Sequence, residues 1–80
     1  MNKINLMQDV TAEIKRVKIC RELKQLRVNE LVSDMTMHKL LGNQETFKRC
    51  GRFIMNHSEE LMRLDIRRGR LINIFEKIAG

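Results

Sequence analysis

The stretch Phe47–Ile78, FKRCGRFIMNHSEELMRLDIRRGRLINIFEKI, decides the fold. Phe47, Cys50, Ile54, His57, Leu61, Leu64, Arg68, Leu71, Phe75 and Ile78 follow one another at steps of three and four without a slip. Residues so spaced share one face of an α-helix, and the sustained rhythm is that of a coiled-coil-like seam. Ser58, Glu59 and Glu60 resemble a helix start. The seam keeps phase across them, so one long helix is expected rather than two broken near His57. Gly51 and Gly69 lie inside it. Each weakens a helix by about 1 kcal/mol, and each leaves room for another helix or a ligand to approach closely.

Upstream, Met7, Val10, Ile14 and Val17 step in the same way. Their phase then meets Arg21 and Lys24 before returning at Val28, Leu31 and Met35, while Ile19, Leu23 and Leu26 line nearly the opposite side. The pattern predicts a first helix over residues 5–32 that buries one face early and another late. Ser33, Asp34 and Thr36 interrupt it with side chains that cap helices or make turns. A short helix over residues 36–41 is expected next. Gly42 then suits the left-handed position after a helix end, and Asn43 suits an N-cap, with Glu45 favourable in the first turn. The expected fold is all-α, a single domain over residues 1–80 with two long helices joined by a short helix or turn. It is expected to form a dimeric bundle packed along Phe47, Ile54, Leu61, Leu64, Leu71, Phe75 and Ile78.

Composition agrees with that class. Apolar residues are 42% and charged residues 32% of the chain, which excludes the low-hydropathy, disordered class. Proline, tryptophan and tyrosine are absent, and six methionines make for a soft aliphatic core. Eighty residues bury only roughly 60% of the surface of the unfolded chain, and self-association is a common remedy for so small a core. Gln8 and Asp9 cut short the first apolar stretch, and nothing approaches the ~18 apolar residues of a spanning helix. A cytoplasmic location is therefore expected, with no membrane partner. Cys20 and Cys50 are expected to be reduced, buried and inert. They and His38 and His57 lack the local clamp of a zinc site, so no metal is expected. There is no phosphate-cradling glycine loop, no nucleophile elbow and no Ser–His–Asp or Cys–His grouping, so neither enzymatic activity nor a cofactor is expected.

Four polar residues occupy seam positions: Arg21, Lys24, His57 and Arg68. The expected place for Arg68 is the margin of the packed seam, its stem on apolar neighbours and its head in water. The alternative is a register device in which Glu22 or Asp65 faces an arginine across the interface. His57 reads as an interior or boundary histidine.

Net charge is +6, with arginine outnumbering lysine nine to seven. Positive charge gathers around residues 15–27, in Lys39, Lys48, Arg49 and Arg52, and in Arg63, Arg67, Arg68 and Arg70. Wound at about 100° per residue, the last helix puts Arg49, Arg52, Arg63, Arg67 and Arg70 on one side, opposite the seam. Like charges at helical neighbour spacing repel, and the guanidinium fork matches phosphate bidentately. Glu45 with Arg49 and Glu59 with Arg63 are the expected local pairs.

MHKLLGNQETFKR, Met37–Arg49, resembles the helix-turn-helix of bacterial and phage DNA-binding regulators. Leu40, Leu41 and Gly42 stand at the end of its first helix and its turn. Thr46, Phe47, Lys48 and Arg49 open what would be the recognition helix. The chain departs from that pattern at Asn43, where a buried aliphatic normally follows the glycine, and in a turn one residue short. The expected function is a small basic regulatory protein binding nucleic acid through phosphates. Lys48, Arg49, Arg52, Arg63, Arg67 and Arg70 would make the contacts, helped by Lys15, Arg16 and Lys18. The alternative is an adaptor or inhibitor docking a helix face on an acidic partner protein.

Overall fold

The computed structural model describes residues 2–80, and two helices account for nearly all of them: α1, Lys3–Leu40, and α2, Gln44–Ala79. Each begins on an asparagine. The Asn2 side chain accepts from the Ile4 N–H at 3.0 Å, and the Asn43 side chain from the Thr46 N–H at 3.3 Å, each satisfying a donor that the helix itself leaves free. Between the helices the chain reverses in three residues. Gly42 takes φ +74°, its N–H donates to the Lys39 carbonyl, and the Asn43 N–H donates to the His38 carbonyl at 2.9 Å. This paired closure of a helix end requires the left-handed residue that glycine supplies without strain.

α1 is longer than its sequence pattern suggests, and there is no separate helix over residues 36–41. Ser33 to Thr36 stay helical. The Thr36 hydroxyl donates to the Val32 carbonyl at 3.0 Å, so it is used inside the helix instead of capping a new one. Leu31 and Met35 also remain in phase on the packed face, and packing outweighs weak local propensity.

The two helices run antiparallel as a rod measuring 60 × 15 × 14 Å. Glu13 pairs with Arg67, Arg21 with Asp65 and Lys24 with Glu60, so the start of α1 lies beside the end of α2. A helix-turn-helix instead crosses its helices at roughly 90–120°. The likeness of Met37–Arg49 to that motif is therefore confined to the turn. α2 finds its seam partner in α1 of the same chain. All ten residues from Phe47 to Ile78 named above are buried or half-buried, and so are Met7, Val10, Ile14, Val17, Arg21, Lys24, Val28, Leu31, Met35 and His38. α1 thus buries one face throughout, and the expected change of face does not occur: Ile19, Leu23 and Leu26 stay exposed.

Burial is shallow. Only Val17, Val28, Leu31 and Cys50 are buried among the described residues, and none of their side chains is completely enclosed. The radius of gyration is 18.0 Å, against about 12 Å for a globular chain of this length. Cys20, expected inside, is exposed. No helix of the described residues is long and apolar enough to cross a membrane.

Candidate nucleic-acid interface

All nine cations expected to contact nucleic acid are exposed. α2 positions most of them. Lys48, Arg49 and Arg52 cluster with Glu45 beside the turn, and Arg63, Arg67 and Arg70 lie farther along. At 1.5 Å per residue, about 16 Å separates Arg52 from Arg63. Arg49, Arg63 and Arg70 differ by multiples of seven and so point the same way. Arg52 and Arg67 fall beside that line.

The flank of α1 that carries Glu13 and Cys20 lies beside the flank of α2 that carries Glu60 and Arg67, and a crevice between them is lined by Cys20, Lys24, Glu60, Arg63, Leu64 and Arg67. Arg16 joins this side. Its guanidinium donates to one Glu13 oxygen at 2.9 Å while Arg67 donates to the other. Lys15 and Lys18 do not join it. They lie roughly 200° and 140° round α1 from Glu13, so they are carried away from the arginine side. The nine residues therefore form an α2 surface supplemented by Arg16, with two lysines elsewhere.

The carboxylates divide the cations into held and free. Asp65 accepts from Arg21 at 2.6 Å, Glu60 pairs with Lys24, and Glu30 accepts from Arg27 at 3.0 Å. Glu45–Arg49 and Glu59–Arg63, expected as local pairs, do not come within 4.0 Å of each other, and no carboxylate among the described residues comes that close to Lys48, Arg49, Arg52, Arg63 or Arg70. The Lys24 ammonium, hydrogen-bonded to Glu60 and close in charge, holds that carboxyl below its ordinary 4.5; His57 and Arg63 add to the pull, and partial desolvation opposes it. His57 Nδ1 stands 3.4 Å from the Lys24 ammonium and 4.0 Å from Glu60.

Arg21 and Lys24 sit midway along the rod, their stems half-buried in the seam and their heads drawn out to α2 carboxylates. Arg21 and Asp65 face each other across the contact between the helices, within one chain. Arg68 lies between Leu64 and Leu71 on the seam, half-buried, and its Nε is shielded from solvent with no hydrogen-bond partner among the described residues. Glu13 and Glu60 were not read as partners from the sequence. The signal is the turn: with Gly42 at the reversal, residues whose numbers add to between 80 and 86 become neighbours, as in Glu13–Arg67, Lys24–Glu60 and Arg21–Asp65. No group of three or more His, Cys, Asp or Glu side chains gathers as a metal site among the described residues.

Comparison with protein-family models, with curated proteins and with solved structures returns no match for this chain.

Proposed function

We propose that the chain is a nucleic-acid-binding protein that grips phosphates with one side of α2. The observation that carries this reading is the division of the cations. Arg49, Arg52, Arg63 and Arg70 share a side and come within 4.0 Å of no carboxylate among the described residues, while Arg21, Lys24 and Arg67 make the ion pairs between the helices. Unpaired arginines on a straight rigid element repel one another, and a polyanion relieves that repulsion while offering acceptors that match the guanidinium fork. Arg63 and Arg70 stand about 10 Å apart along the helix, a distance that spans about three phosphates of one strand along a duplex axis. Contacts of this kind carry no base readout, so binding follows charge and shape rather than sequence.

The test is a fluorescence-anisotropy titration of the whole chain with a labelled duplex as long as the rod, at about 50 and 200 mM salt. With four phosphates neutralised, log affinity falls against log salt with a slope of about −3 to −4. Arg63→Gln/Arg70→Gln flattens that slope by about two and weakens binding at both salts. Binding that ignores salt, or a double variant with an unchanged slope, overturns the reading.

A further inference from the structure

The α1 face turned away from the hairpin carries a row of apolar side chains that the fold leaves uncovered: Ile19 at 56%, Leu23 at 62% and Leu26 at 59% exposure. They step by four and three along one line. The chain exposes 6328 Å² in all, where a compact protein of 9.5 kDa exposes about 5,000 Å². The excess is larger than the roughly 800 Å² per partner that a standard interface buries.

We propose that a second copy of this chain covers the row, the two α1 helices packing back to back and antiparallel about a two-fold axis at Leu23. The charges flanking the row select this occupant. In that pairing Leu23 meets Leu23 of the second copy, Ile19 meets its Leu26, and Arg16 meets its Glu30. The same contacts recur on the other side of the axis, as a self-complementary interface requires. Arg16 already donates to Glu13 at 2.9 Å, and Arg27 to Glu30 at 3.0 Å. Pairing joins these into an alternating row at each end of the apolar patch: Glu13, Arg16, then Glu30 and Arg27 of the second copy. Two exposed apolar residues of α2 offer no such match. Met62 and Ile66 are interleaved with Arg63, Arg67 and Arg70, so a two-fold axis there sets arginine against arginine. The result is a layer of four helices in which the two α1 are central, and the arginine side of each α2 remains outermost.

Sedimentation equilibrium on the whole chain tests the proposal. The wild type is expected at twice 9.5 kDa. Leu23→Glu, at an exposed position, leaves the helical circular-dichroism signal intact and raises the dimer dissociation constant at least tenfold. Arg16→Glu weakens the dimer, and Arg16→Glu/Glu30→Arg restores it. A wild type that stays monomeric at every concentration overturns the proposal. So does a dimer indifferent to Leu23→Glu, and a charge exchange that fails to restore pairing overturns the antiparallel register.

Discussion

Arg68 occupies a seam position flanked by Leu64 and Leu71, at the height where Glu13–Arg67 and Arg21–Asp65 bracket Val17, which is only 3% exposed. A guanidinium nitrogen without a partner in such surroundings opposes folding. An apolar side chain of similar length removes that opposition and keeps the packing, so Arg68→Met is expected to stabilise the chain by about 1 kcal/mol, read as a higher Tm in thermal unfolding. Glu60 behaves differently, because its partner is in place. The folded carboxyl holds its proton less tightly than the unfolded one, so the Lys24 contact stabilises the fold above pH 4.5 and is lost as pH falls below that value. In urea melts, Glu60→Gln is expected to be less stable than wild type near neutrality, with the difference shrinking to nothing in acid.

At the scale of the helices, the glycines separate into two kinds. A Cβ added at Gly51 or Gly69 meets nothing within 4 Å, so neither makes the close approach that glycine permits, and both only weaken α2. Alanine at either position is expected to raise stability by about 0.5–1 kcal/mol. Alanine at Gly42, where φ is +74°, is expected to lower it by about 1 kcal/mol. Chemical denaturation of the three variants checks both signs. The long seam of α2 was legible from periodicity alone, since Leu61, Leu64, Leu71 and Phe75 each answer to one face, and Gly42 and Asn43 announced the turn by chemistry only a reversal needs. The lapse at Ser33–Thr36 misled because capping side chains signal a helix start only where packing does not already hold the backbone, and Leu31 and Met35 hold it. The seam's partner was misjudged because both helices carry matching seams and periodicity is silent on which meets which. A three-residue connection settles that by keeping α1 close to α2. Winding a helix predicted the arginine side of α2. It could not place Lys15 and Lys18, because which flank of α1 faces Arg67 depends on the hand of the hairpin.

For the whole molecule, shape and charge are linked. A rod 60 Å long with four buried residues among those described has little interior, so its character lies in its surfaces. One is cationic and lies along α2; the other is apolar and lies along the back of α1. The flattened salt slope expected of Arg63→Gln/Arg70→Gln belongs to this scale, since it measures the summed field of a side and not a single contact. The belt formed by Arg21, Lys24 and His57 has a consequence for motion. It divides the greasy contact between the helices into a zone beside the turn, around Val28, Leu31 and Cys50, and a zone toward the chain ends, around Val17, Leu71 and Phe75. Two zones separated in this way are expected to open with different free energies, the terminal one more readily. Amide hydrogens there are expected to exchange with solvent sooner than those near the reversal, and hydrogen–deuterium exchange of the whole chain checks that order.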